Sequence, residues 1–267
     1  STNMIDKIYI PTIGRNDRQI TWNNLPQKWK DKTVLVVDSS DKDIYDKPTI
    51  TLPDDVKRIA SIREWIVKNS KEKKICMFDD DLDFIYTRRE NETGSTNKKL
   101  DDAGIDDMMH LMSDWLDDHV FCGLDATWSH PRFDMDYKFC GRVCSNVFYN
   151  VETLPMHDIS WTDIEISEDY NIALQLLTKG YPNKISTRYR VSPVGNFSSG
   201  GCSSYRTIEL HNKSFKELQK KFPQFVDLKE KTQNSGLWKG EKRLAGTIQW
   251  KRAYESSQTS SLEKFME

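Results

Sequence analysis

The chain has 267 residues, a formal net charge of -2, 37% apolar and 30% charged residues, the balance of a globular protein long enough to bury an extended core. Its apolar stretches, such as Val34–Val37 and Ile75–Phe78, are far too short to cross a bilayer, so membrane insertion is not expected. No signal-type apolar region opens the sequence, and of its five cysteines only Cys140 and Cys144 are closely spaced, so a reducing, cytoplasmic setting is expected.

Lys7–Pro11 reads as a short strand ending in Pro-Thr-Ile-Gly-Arg, and residues 32–37 as a second ending in Asp38-Ser39-Ser40. Asp55–Asn69 reads as a turn into a helix with Ile59, Ile62, Trp65, Ile66 and Val67 apolar and Arg58 and Arg63 turned elsewhere. Ile75–Phe78 then completes a βαβ pattern, for which a parallel, nucleotide-binding sheet is the natural solution. The charged run Lys71–Lys74 before it predicts that this strand enters the core from a solvated end.

That strand runs into three consecutive acids, Asp79, Asp80 and Asp81. Such charges repel unless a cation, a basic side chain or water neutralises them. Mg2+ and Mn2+ take one or two carboxylates and fill their other positions with water and substrate phosphates. In an extended stretch Asp79 and Asp81 point to one side and Asp80 to the other, so the outer two are expected on the metal and Asp80 on the loop or a substrate hydroxyl. Ligands of parallel sheets gather beyond the carboxyl ends of the strands, where Thr12, Gly14, Arg15, Asp38 and the acids would converge.

Farther on, residues 88–97 read as a polar, mobile loop and Asp101–Asp118 as a helix whose methionines suit packing. Phe121–Trp128 and Cys140–Asn150 read as strands, separated by a loop holding His130, Arg132, Asp134 and Asp136 as candidate acceptor contacts. A punctuated helix follows, opening at Glu168-Asp169 behind Ser167 or Asp163 and closing at Gly180. Its leading acids either complement the helix dipole or reach a reacting hydroxyl. From Arg206 to Arg252, nine lysines and three arginines face five acids, a balance of +7 that leaves -9 for the rest. Such a basic stretch suits a nucleotide diphosphate or a nucleic-acid backbone, or forms a solvated helix face.

In this order the pieces resemble the GT-A glycosyltransferase superfamily over about residues 7–215. The resemblance implies an α/β, GT-A-like single domain with a mostly parallel nucleotide-binding central sheet and a helical, basic C-terminal extension. Residues 1–204 would form the catalytic domain, donor half first, and 205–267 the extension, with a mobile tail from about 255. By the same resemblance the donor is a nucleotide sugar and the cofactor Mn2+ or Mg2+. Asp79 and Asp81 match the outer acids of the family's DxD motif, and Asp38 an acid that contacts the nucleoside. Thr12, Arg15, Arg63 and Asp80 would complete the donor border. Glu168 or Asp169 matches the pair in which a catalytic or acceptor-contacting acid is found, and His211 is the candidate for a late histidine on the metal.

The triple aspartate and basic C-terminal segment are similar to those of bacteriophage enzymes that glycosylate hydroxymethylated pyrimidines. This implies double-stranded DNA as acceptor and the host cytoplasm as location. Trp238, Trp250 and Tyr254 would then stand among basic residues as stacking groups. A polysaccharide or protein acceptor is the alternative, and a metal-dependent nucleic-acid-processing enzyme the rival class.

Overall fold

A computed structural model describes residues 4–194 and 206–266, with the side chains of 260–265 excepted. The first half contains β1 (Lys7–Pro11), α1 (Ile20–Asn24), α2 (Gln27–Lys30), β2 (Thr33–Val37), β3 (Thr49–Thr51), α3 (Ile59–Asn69), β4 (Lys74–Phe78), β5 (Leu82–Thr87) and β6 (Asn97–Lys99). There follow α4 (Asp102–Trp115), β7 (Phe121–Ala126), β8 (Tyr137–Phe139), β9 (Asn146–Asn150), α5 (Glu168–Thr178) and β10 (Lys184–Pro193). The C-terminal part adds α6 (Ile208–Lys221), β11 (Val226–Thr232), β12 (Lys242–Ile248) and α7 (Trp250–Met266).

Ten strands join in one sheet of order β3-β2-β1-β4-β9-β7-β10-β5-β6, with β8 also on β10, while β11 and β12 form a separate ribbon. The nucleotide-side block β3-β2-β1-β4 is parallel, as expected. β9 runs antiparallel to both β4 and β7, which sets β7 parallel to β4, and β10 parallel to β7. Thr12, Asp38, Asp79 and the turn after β7 therefore lie along one edge. β9 leaves that edge and β10 arrives at it.

Alternation builds the two faces. Ile8, Ile10, Leu35, Val37, Cys76 and Phe78 turn to one side, against Met108, Met109 and Met112 of α4. Tyr9, Val34, Val36, Ile75 and Met77 turn to the other, against Ile62 and Ile66 of α3 and Ile172 and Leu176 of α5. A third cluster joins α5 to the C-terminal elements through Leu174, Leu177, Phe215, Leu218, Phe222 and Val226.

Several sequence expectations are amended. Lys74 is the first residue of β4 and is buried, its ammonium held by the Ser113 carbonyl at 2.8 Å and Asp117 at 2.6 Å. The strand at 140–150 is confined to Asn146–Asn150, because Cys140 and Ser145 take left-handed backbone angles, φ 57 and 67. β8 begins at the end of the loop expected over 129–138, and β6 at the end of that expected over 88–97. α7 runs as helix from Trp250 to Met266, across the point near 255 where the tail is expected to begin.

Candidate active site

Asp79 lies just past β4, where its N–H donates to the Ser145 carbonyl at 2.9 Å. The left-handed turn at Ser145 thus fixes the first acid, at the kind of backbone strain that clusters at functional sites. Across the cleft, Ser167 is also left-handed, φ 66, and turns the chain so that Glu168 and Asp169 open α5. A cavity of about 250 Å³ takes in Asp79, Arg142, Glu168, Asp169 and Arg206 together, with Arg63 on its wall.

Arg63 projects from α3 between the two acidic groups. Its Nη2 lies 3.4 Å from Asp79 and its Nε 3.3 Å from Glu168. Glu168 is nearly enclosed, and burial raises its pKa against the lowering pull of Arg63. Asp169 has its own cation: Arg142 Nε donates to its carboxylate at 2.9 Å. The Arg142 guanidinium also lies 4.3 Å from the Tyr170 ring centroid and 5.5 Å from that of Trp128. Burial opposes its charge, but Asp169 beside it holds the Arg142 pKa above the usual arginine range.

Asp79 keeps 41% of its side-chain surface open to the cleft, yet the walls exclude bulk water from its other sides. Burial, offset by Arg63 and reinforced by Asp81, Asp80 and Glu168, pushes its carboxyl up to about 7. The Asp81 pKa is raised too, by burial and by Asp80. Crowded carboxylates short of positive charge suit a hard cation, and their all-oxygen donor set fits Mg2+ or Mn2+. Among the described residues no group of three or more His, Cys, Asp or Glu side chains forms a cage, so water and phosphate would complete the coordination.

Asp80 does something different from its neighbours. It is buried, accepting from Thr12 Oγ1 at 2.6 Å and from Arg15 Nη1 at 2.8 Å. Gln19 Nε2 in turn donates to Thr12 Oγ1 at 2.9 Å. A buried carboxylate needs compensating partners, and Asp80 draws Thr12 and Arg15, the residues expected with it at the donor border, together under the acid turn. Asp80 thereby ties the acid turn to the loop that follows β1. Asp38 remains at the β2 end, with its oxygens engaged by Lys57 at 2.8 Å and by Ser40. The Lys57 hydrogen bond, with those from Ser40, lowers its pKa to about 2.

His211, the candidate for a late histidine on the metal, is held by protein groups. The ring is buried on α6, Nε2 lies 2.9 Å from the Leu244 carbonyl oxygen and Nδ1 3.3 Å from Arg206. This pattern assigns the proton to Nε2 and makes Nδ1 an acceptor, so protein groups engage both nitrogens. Through Arg206 the histidine instead positions a cation on the cleft wall. Trp238 packs edge-on to His211 at 5.6 Å and Trp250 stacks on Tyr170 at 5.8 Å, so these two aromatics serve packing. Arg142 and Arg206 escaped the sequence reading as site residues, since no motif marks either.

The cleft lies at the carboxyl edge of the sheet, where an acid turn faces a helix-leading acid pair, and the sequence family to which the chain belongs makes it that of a nucleotide-sugar-dependent glycosyltransferase. The chain belongs to the TET-associated glycosyltransferase family, whose sequence model matches residues 6–201. It is 26% identical over 209 residues to the beta-glucosyl-HMC-alpha-glucosyl-transferase of Enterobacteria phage T2, covering 72% of each chain. It is 26% identical over 188 residues to the enzyme of the same name from phage T6, covering 66% of this chain and 65% of the relative. Among solved structures, Staphylococcus aureus TarS with UDP-GlcNAc superposes at a TM-score of 0.47 with 11% identity, covering 81% of this chain and 67% of that one. That likeness is too loose to bear on substrate. No helix among the described residues is long and apolar enough to cross a membrane.

Proposed function

We propose that this glycosyltransferase moves a sugar from a nucleotide sugar to a hydroxyl carried by a hydroxymethylated pyrimidine in phage duplex DNA, with a divalent cation at Asp79 and Asp81. The observation that carries the reading is that one cleft joins Asp79 to Asp169 and Glu168, with Arg63 between the two acidic groups. The names of the two phage relatives support the acceptor class. When bound, the cation neutralises the donor diphosphate and stabilises it as leaving group.

The chain's own residues do the rest. Asp79 and Asp81 would hold the cation, over a turn anchored by Asp80, Thr12 and Arg15. Asp38, preset by Lys57 and Ser40, has further acceptor capacity for a ribose or base donor. Arg206, on the opposite wall, offers a cation to phosphate. Asp169, fixed by Arg142, orients the acceptor hydroxyl at the sugar's reacting carbon. That role serves inversion as a general base and retention as an electrostatic and positioning group. A target base lies inside the duplex stack, so it must be extruded into the cleft while basic residues hold the flanking phosphates.

The test uses unmodified, hydroxymethylated and glucosyl-hydroxymethylated duplexes beside a glycan panel. Each is incubated with nucleotide sugars, with and without Mn2+, and the products are analysed as nucleosides by mass spectrometry. Metal-dependent gain of one hexose on a hydroxymethylated or glucosylated duplex is expected. Transfer to glycans alone would overturn the DNA acceptor, and full transfer in chelator would overturn the cation.

A further inference from the structure

Trp128 is the apex of the turn after β7, at the same sheet edge as Asp79, and 61% of its surface is exposed. Leaving a large aromatic in water forgoes the burial that usually stabilises it. The turn beneath it is nevertheless built rigidly. Arg190, 1% exposed, donates through Nη2 to the carbonyls of Ala126 and Ser129, both at 2.6 Å. Thr127 N–H donates to Val191 at 2.9 Å, and the Ser129 hydroxyl returns to Ala126 at 2.8 Å. Burying a guanidinium is costly, and here it fixes the two carbonyls that flank an exposed indole.

The indole also stands beside the reacting end of the cleft. Arg142 lies 5.5 Å from its ring centroid and 2.9 Å from the Asp169 carboxylate. The guanidinium lies over the indole, so a ring laid on the exposed remainder of Trp128 would be tied to Asp169 through the indole and Arg142, which suits an acceptor ring better than the donor diphosphate at the acid turn.

We propose that Trp128 is the acceptor platform: a preformed stacking surface that seats the ring bearing the acceptor hydroxyl, with Arg142 linking that seat to Asp169. Two ring sources share this chemistry, an extruded hydroxymethylated pyrimidine and a pyranose already attached to it. The inference rests on the proposed DNA acceptor only for the identity of the ring. Stacking tolerates different rings because a base offers its π face and a pyranose its CH face to the indole.

The experiment compares the full chain with Trp128→Ala and Trp128→Phe, measuring acceptor KM and kcat on hydroxymethylated and glucosyl-hydroxymethylated duplexes. Nucleotide affinity by calorimetry and thermal midpoints are recorded alongside. Trp128→Ala is expected to raise acceptor KM about ten- to hundredfold, with Trp128→Phe between it and wild type. The duplex that shows the larger rise identifies which ring rests on the indole. Acceptor KM within twofold of wild type in Trp128→Ala overturns the platform. So does an equal loss of nucleotide affinity or a collapsed thermal midpoint, either of which marks a structural role. If wild type modifies glycans and no duplex, the DNA reading falls by itself. The same comparison on the active glycan then decides the platform, an unchanged KM again overturning it.

Discussion

Arg142 Nε donates to the Asp169 carboxylate at 2.9 Å, and the two residues come from different walls of the cleft, 27 positions apart in the chain. The pair fixes the direction of the Asp169 carboxylate, which a residue orienting a hydroxyl requires. Arg142→Ala is expected to lower kcat for transfer about a hundredfold while nucleotide affinity stays near wild type. Arg142→Lys should recover little, since an ammonium cannot reproduce the planar fork or its stacking on Tyr170 and Trp128. Steady-state kinetics with calorimetric nucleotide binding checks this, and wild-type kcat in Arg142→Ala would refute it.

Asp80 and Asp81 are neighbours with opposite expected phenotypes. Asp80→Ala removes the carboxylate that Arg15 and Thr12 both donate to, at a cost of about 2–4 kcal/mol. A lowered thermal midpoint is therefore expected, with activity lost through the turn. Asp81→Asn should keep the midpoint and lose metal-dependent donor binding. Thermal melts read beside Mn2+ titrations separate the two, and identical melts would contradict the assignment.

Much of this site was legible before the fold was known, for local reasons. The apolar runs of β1, β2 and β4 end in Thr12, Asp38 and Asp79, and a run that terminates in polar groups shows both the strand and its functional end. Strand alternation does not reach the three aspartates, since Asp80 and Asp81 lie in a turn beyond β4, and the inward direction of Asp80 comes from its bonds to Thr12 and Arg15. Other features depend on distant packing. β10 contains Arg188 and Arg190, both buried, which disguise a central strand as a polar segment. Arg142 acquires its role from the left-handed turns at Cys140 and Ser145 and from Asp169, none of which its neighbours in sequence encode. His211 has a metal ligand's chemistry, and only the Leu244 carbonyl and Arg206 show its nitrogens engaged.

His211 also gives a pH signature. Burial lowers its pKa below the ordinary histidine value of about 6.5, so the folded protein holds the neutral ring while the unfolded chain protonates more readily. Stability from this group is present above about pH 6.5 and is lost as pH falls through that value toward the folded pKa. Wild type should lose midpoint between pH 7 and about 5 by more than His211→Gln does. Parallel melts of the two proteins across that window check it, and matching slopes would refute it.

Gly246 on β12 faces α6, where an added Cβ would fall 2.7 Å from the Phe215 ring. Gly246→Val is expected to lift the ribbon from α6 and destabilise the protein by about 1–3 kcal/mol. Denaturant unfolding measures it, and an unchanged midpoint would show that the ribbon yields freely.

The division of labour across the cleft is tested most directly by measuring metal-dependent nucleotide affinity and sugar transfer together in Asp79→Asn, Asp81→Asn and Asp169→Asn. The two acid-turn variants should lose affinity for the nucleotide in Mn2+ or Mg2+. Asp169→Asn should keep that affinity and lose transfer by about a hundredfold or more. Equal loss of nucleotide affinity in all three, or wild-type transfer by Asp169→Asn, would contradict a cleft with a donor wall at Asp79–Asp81 and an acceptor wall at Asp169.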